Sequence, residues 1–278
     1  MDSFDNDGLR FEVTDRGPAD GPAVVLLHGF PADRHCWTAV SDHLVAAGYR
    51  TLAPDQRGYG PRSTPAGRRA YSIDTLADDV LALADQAGVD RFAVVGHDWG
   101  AAVAWHLAGT APERVASLTA VSVPHPRAMM RAFGRSNQAV RSWYMLALQL
   151  PVLPERALAW RGGALLRRSL RASGLGADAA DRYVARAAEP AALTGPLSWY
   201  RAIPFAPRRP AQPIKVPTVM IWSPGDAYVA RAAAEGAATW VDAPYRFVEI
   251  PDATHWLPEG APEALAAATL DHLRAHPA

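Results

Sequence analysis

Three side chains able to act as nucleophile, acid and base occur in the order Asp98, Asp226, His255. Asp98 is the centre of Gly96-His97-Asp98-Trp99-Gly100. Before it, Arg91 to Val95 is short, apolar and partly β-branched, as in a buried strand. After it, Ala101 to Ala108 is rich in helix formers. A strand that becomes a helix within so few residues needs glycine where a Cβ would meet backbone. The residue at the tip is then pushed out over the end of the sheet, a place usually held by serine. Aspartate is also a good helix N-cap, so the pentapeptide alone leaves both readings open. A carboxylate is a poor nucleophile towards esters, but it can displace a leaving group from saturated carbon and form an ester of itself. That ester must be hydrolysed at its carbonyl, which requires a general base. His255, oriented by Asp226, fits. Gly225-Asp226 is equally an ordinary turn pair, and a lone histidine is often a loop residue. The order nucleophile, acid, histidine, each past a strand end, favours the triad. The oxyanion formed during hydrolysis needs donors, and the backbone N–H groups of Phe30 and Trp99 stand at the expected places.

The elements that must position these groups alternate along the chain. Leu9 to Asp15 alternates apolar and polar and predicts a half-exposed strand. Ala23 to Leu27 is wholly apolar, as in a central parallel strand, and ends in His28-Gly29-Phe30-Pro31. A helix over Cys36–Ala47, a strand over Tyr49–Ala53 and a helix over Ile73–Ala87 follow, the last with an apolar stripe. The elbow helix runs to Gly109, and Val115–Val123 is another strand. This βα alternation argues for a parallel sheet with helices on both faces. It breaks after Pro124. From Arg127 to Gln212 the composition is helical, with segments at Ala128–Phe133, Gln138–Gln149, Ala157–Ser173 and Ala177–Ala188, broken by prolines. This stretch holds fourteen arginines against four acids. Such a balance is usually a solvated face, but arginines turned into a pocket would suit an anionic substrate. Strands resume at Val216–Trp222 and Tyr245–Ile250, with helices at Arg231–Val241 and Pro262–Ala275.

Composition excludes more than it selects. The net charge of +0 gives no global pull towards nucleic acid or an anionic membrane. The single cysteine, Cys36, permits no internal disulfide. The acidic N-terminus does not resemble a signal peptide, no apolar run is long enough to span a membrane, and a cytoplasmic location is expected. No cluster has metal-ligand spacing and no phosphate-binding glycine motif occurs, so neither metal nor cofactor is expected. A homodimer is left open.

The elbow, His28-Gly29-Phe30-Pro31 and Asp55-Gln56-Arg57-Gly58-Tyr59-Gly60 together resemble the epoxide hydrolases of the α/β-hydrolase superfamily, over residues 9–275. The resemblance implies a mostly parallel sheet of about eight strands flanked by helices, with residues 1–126 and 213–278 as main domain and 127–212 as an inserted helical cap. It implies conversion of a small apolar epoxide to a vicinal diol through an Asp98 ester. Ser198-Trp199-Tyr200-Arg201 matches the family's Asn-Trp-Tyr-Arg, which makes Tyr200 a proton donor to the epoxide oxygen. Trp143 to Pro151 resembles the stretch carrying a second donor, but the family's tyrosine position is Ala147 here. Tyr144, one helical turn earlier, is the substitute candidate. Phe30, Trp99, Trp199 and Trp256 are expected to line the pocket, Asp55 to Gly58 to pin a loop by an ion pair, His97 to pack behind the elbow and His125 to act as a hinge. Haloalkane dehalogenases share the elbow. Many carry Asn where this chain has Phe30, and fluoroacetate-type members carry Arg where it has Trp99; both departures favour the epoxide. A haloalkane or haloacid dehalogenase, a non-catalytic ligand-binding homologue and a water-activated esterase are the alternatives.

Overall fold

The computed structural model describes residues 1–277 apart from 206, 210 and 211. Eight strands form one sheet in the order β1-β2-β4-β3-β5-β6-β7-β8. They are β1 Ser3–Asn6, β2 Leu9–Arg16, β3 Ala23–Leu27, β4 Arg50–Pro54, β5 Phe92–His97, β6 Val115–Val121, β7 Thr218–Trp222 and β8 Tyr245–Glu249. β1 and β2 pair antiparallel with their neighbours, and every pairing from β4 to β8 is parallel. The wholly apolar β3 is buried along its length, as a strand covered on both faces must be. The sequence pattern missed β1, a short edge strand turned back onto β2 through Asp7-Gly8, both at positive φ.

The flanking helices are α1 Thr38–Ala46, α2 Ile73–Gln86 and α3 Trp99–Thr110. Among the described residues between β6 and β7 the regular elements are helices: α4 Pro126–Phe133, α5 Gln138–Arg141, α6 Tyr144–Ala147, α7 Leu153–Ala172, α8 Ala177–Arg186 and α9 Pro190–Ala202. After β7 come α10 Arg231–Glu235, α11 Leu257–Gly260 and α12 Pro262–Ala275. Three expectations change in the insert. The helix expected over Gln138–Gln149 is two short turns, α5 and α6. α7 is broken at Trp160–Gly163, where three residues take positive φ. α9 was hidden by its prolines. Pro190 opens it, where a missing N–H does no harm, and Pro196 sits inside a stretch buried from Gly195 to Ala202. Burial there outweighs propensity. Pro210, another proline read as a breaker, lies outside the described residues, as does Ala278 at the end of the main-domain range.

The strand order reverses direction at β3, whose neighbours are β4 on one side and β5 on the other. Open α/β sheets bind ligands at such a switch point. Leu27 is in register with Gly96, so the turn after β3 and the elbow after β5 leave the sheet side by side. Asp226 follows β7 and His255 follows β8. Among the described residues no helix is long and apolar enough to cross a membrane.

Candidate active site

The elbow is tight because both glycines meet backbone. A Cβ on Gly96 would lie 2.7 Å from Ala101 Cα, and one on Gly100 would lie 2.7 Å from His28 O. Asp98 is held at φ 52°, ψ −119°, a region L-residues rarely occupy. Its side chain makes no hydrogen bond to the helix it precedes, so it is not serving as an N-cap. Instead Phe30 N–H donates to Asp98 Oδ1 at 2.9 Å. The other oxygen, Oδ2, stands 3.7 Å from His255 Nε2. The Asp98 side chain keeps 14% of its surface accessible. Trp99 opens α3, where a backbone N–H has no intrahelical partner.

His255 Nδ1 and Asp226 Oδ2 are 2.8 Å apart. Asp226 Oδ1 accepts from Tyr228 N at 2.8 Å and Val229 N at 2.9 Å, which fixes the carboxylate. The His255 carbonyl lies 2.8 Å from His97 Nε2 and accepts from Ser122 Oγ at 3.0 Å. His97 thus holds the loop that carries His255. Burial drives its own pKa down to about 4, so it is neutral. Burial also opposes charge on His255, but Asp226 and then Asp98 outweigh it and push its pKa up to about 10. Burial works to raise the Asp98 carboxyl, yet His255, His97 and the Phe30 N–H hold it below the usual carboxylate range. Asp98 is therefore ionised, as an attacking carboxylate must be.

Two tyrosines of the insert lie close enough to this carboxylate to feel its charge. The Tyr200 ring is edge-on to Trp99 at 5.0 Å and to Phe30 at 5.7 Å. Tyr144 is edge-on to Tyr200 at 6.1 Å. Burial first, then nearby charge including Asp98, pushes both hydroxyls well above the ordinary tyrosine pKa. Each keeps its proton. Tyr144 is half-buried towards the site while Ala147 is exposed, so the one-turn helix α6 does not place the two in the same surroundings.

The expected aromatic residues take different places. Phe30 and Trp99 border the carboxylate. Trp199 is buried, edge-on to Trp99 at 5.8 Å, with its indole N–H on Arg57 O at 2.7 Å. Trp256 is buried against the edge of His255 at 5.3 Å and donates to Ser173 Oγ at 3.0 Å. His125 caps α4 by accepting from Arg127 N at 3.3 Å, and burial lowers its pKa to about 4. The segment Asp55 to Gly58 is tied to its surroundings by ion pairs, as expected, and the partners come from other parts of the chain. Arg57 pairs with Asp79 at 2.7 Å, and Asp55 pairs with Arg34 and Arg186.

Three participants escaped the sequence reading. Gly29 lies directly against Asp98: a Cβ there would be 2.7 Å from Asp98 Cγ and nearer still to Cβ and Oδ1. Tyr228, two residues beyond the triad acid, lies edge-on to His255 at 4.9 Å and to Tyr144 at 5.6 Å. Gln138 is fully buried in the insert. Its Oε1 accepts from Ala230 N at 2.8 Å, and its Nε2 donates to Tyr228 O at 2.8 Å and Ser142 Oγ at 2.9 Å. Arg141 donates to the Asp226 carbonyl. The insert thus grips the acid loop from outside. Proximity to Asp226 was a signal for Tyr228; nothing local marks Gln138.

Residues 22–262 match the family model described as alpha/beta hydrolase fold. The chain is an epoxide hydrolase-like member of the α/β-hydrolase family. It is 36% identical to the AB hydrolase superfamily protein YfhM of Bacillus subtilis, covering 96% of this chain and 95% of that one. It is 34% identical to epoxide hydrolase A of Mycobacterium tuberculosis, covering 97% and 95%. Among solved structures it resembles a variant epoxide hydrolase from Bacillus megaterium bound to its naphthyloxy-propanediol product, with TM-score 0.87 and 25% identity over 98% and 99% of the two chains.

Proposed function

We propose that the chain hydrolyses small apolar epoxides to vicinal diols, with residues 1–126 and 213–278 supplying the elbow, acid and base and residues 127–212 acting as a cap that supplies the tyrosines. Asp98 Oδ2 attacks an oxirane carbon. The C–O bond to that carbon breaks as the new ester bond forms, and the oxygen takes a proton from Tyr200 or Tyr144. Oδ1, already on the Phe30 N–H, becomes the ester carbonyl oxygen. His255, oriented by Asp226, then takes a proton from water as it attacks Asp98 Cγ. The oxyanion sits on the N–H groups of Phe30 and Trp99. Collapse expels the second diol oxygen as an alkoxide, which takes the proton of the new Asp98 carboxyl group and leaves the carboxylate, and the proton held by His255 returns to the tyrosinate. What supports this reading is the nearness of two proton-bearing phenols to an ionised carboxylate at the elbow. A halide leaves without needing a proton, so this pairing favours the epoxide over the dehalogenase. The relatives named as epoxide hydrolases support the same reading.

The test is a single turnover of an epoxide panel in oxygen-18 water, followed by the mass of the peptide containing Asp98. Label entering that carboxylate is the expected result. Label in the diol alone means water attacks the epoxide directly, and halide release from a haloalkane or haloacid incubated in parallel, with no diol from any epoxide, selects the dehalogenase; either overturns the proposal.

A further inference from the structure

The insert turns an apolar face to solvent. From residue 139 to residue 153 every exposed side chain is apolar. Leu146, Val140 and Trp143 are 78%, 73% and 67% exposed, and Leu150, Val152 and Leu153 continue the face. The winding of the chain explains how these side chains come together. Ser142 N–H donates to Gln138 O, Leu146 N–H to Trp143 O and Leu150 N–H to Ala147 O, so helical turns run on through α5 and α6. Residues 140, 143, 146 and 150, three or four apart, then share one side. Gln138 and Ser142 are buried on the other, where Tyr144 meets Tyr200 and Tyr228. A monomer in water keeps contiguous apolar surface small, and a larger apolar face with a polar rim marks a contact surface.

Charge selects the partner. Residues 127–172 hold nine arginines and a single carboxylate, Glu155. Glu155 is buried and taken by Arg201. Arg135 precedes the apolar stretch, and Arg156, Arg161 and Arg168 follow it. All four are exposed, and among the described residues none of them forms an ion pair. Trp160 is exposed as well, with the Arg161 guanidinium over its ring at 4.4 Å. The net charge of +0 conceals this segregation, because the balancing acids lie elsewhere in the chain. A second copy seated face to face would set one arginine rim against another. A bilayer with anionic headgroups suits both parts of the surface. Apolar side chains, tryptophan among them, enter its interfacial layer while the arginines meet phosphate.

We propose that the outer face of residues 139–161 docks on an anionic phospholipid bilayer, with Trp143, Leu146 and Leu150 sunk into the interface and Arg135, Arg156 and Arg161 on the headgroups. Attachment of this kind needs no membrane-spanning helix and does not depend on the epoxide reading. It goes beyond that reading by placing a lipid phase against α6, the turn that carries Tyr144 on its inner side.

The test is co-sedimentation of the full chain with two kinds of vesicle, phosphatidylcholine alone and phosphatidylcholine with phosphatidylglycerol in equal parts. Partition into the mixed vesicles is expected to exceed that into the neutral ones by at least about tenfold, and to fall as salt is raised. Arg135→Glu with Arg156→Glu removes that preference. Trp143→Ser with Leu146→Ser weakens binding to the mixed vesicles by at least about tenfold. The four substituted side chains are exposed, and thermal unfolding checks that each variant keeps the fold. A second readout uses the native ring: brominated acyl chains in the mixed vesicles quench tryptophan fluorescence, and Trp143→Phe reduces the quenching. No sedimentation with the mixed vesicles, equal partition into both kinds, or unchanged partition in the folded Trp143→Ser, Leu146→Ser variant overturns the proposal. A dimer that survives dilution and leaves the vesicles unbound gives the face to a second copy and overturns it as well.

Discussion

Replacing Gly29 by alanine tests the geometry of the nucleophile without touching a reactive group. Carbon atoms in ordinary contact lie about 3.5–4.0 Å apart. A Cβ on Gly29 would be 2.7 Å from Asp98 Cγ, with the Asp98 Cβ and Oδ1 closer still. The neighbour is short and is anchored in a strained backbone at φ 52°, so no flexible side-chain end is available to give way. Asp98 must retreat by roughly 1 Å. That is enough to stretch the 2.9 Å bond from Phe30 N–H beyond hydrogen-bond range. A misplacement of about 1 Å alone lowers rates about 100-fold, and loss of one oxyanion donor about 100- to 1,000-fold. The expected loss in kcat/KM is therefore two to three orders of magnitude, ~2.7–4 kcal/mol of transition-state stabilisation. Stopped-flow fluorescence in single turnover, with Trp99 as reporter beside the carboxylate, reads the alkylation step; thermal unfolding reads the fold. Gly134→Ala is the control, because nothing lies within 4 Å of a Cβ there. A folded Gly29→Ala enzyme whose alkylation rate stays within about threefold of native would refute the placing of Asp98 as attacking group.

The elevated His255 pKa of about 10 depends on two carboxylates, so removing one must lower it. Asp98→Asn is expected to shift the imidazole titration followed by NMR to lower pH, and an unchanged midpoint would contradict the pairing. Esterification of Asp98 removes the same charge, so ester hydrolysis gains its free base well below pH 10 while alkylation stays flat through neutrality. Because the folded pKa lies above the ordinary 6.5, the pairing contributes to folding in full below about pH 6.5 and is lost as pH rises towards 10. Gln138→Leu leaves Ala230 N–H and the Tyr228 carbonyl without their partners, a cost of ~1–3 kcal/mol for each group left unsatisfied. Asp226 acts only through His255, so hydrolysis of the ester should slow more than its formation. Quenched-flow mass spectrometry then finds more alkylated Asp98 at steady state, and equal slowing of both steps would show a merely structural role.

Local sequence determined the frame. Buried parallel strands are continuous apolar runs, and β3 and β5 could be read because that signal needs no distant partner. The elbow was legible because its glycines answer to atoms only a few residues away in the chain or in the next strand. The order Asp98, Asp226, His255 followed because a parallel sheet delivers its catalytic groups at strand ends. What folding decided lies where distant segments touch. α9 forms despite Pro196 because burial against the main body outweighs propensity. Tyr144 rather than Ala147 faces the centre because α6 is a single turn whose orientation is set by its neighbours. Arg57 chose Asp79 and Arg186 chose Asp33 and Asp55. Gln138 reached the acid loop from the insert, far along the chain. Side-chain pairing depends on distance in space, and one-dimensional order carries that distance only where the backbone repeats regularly.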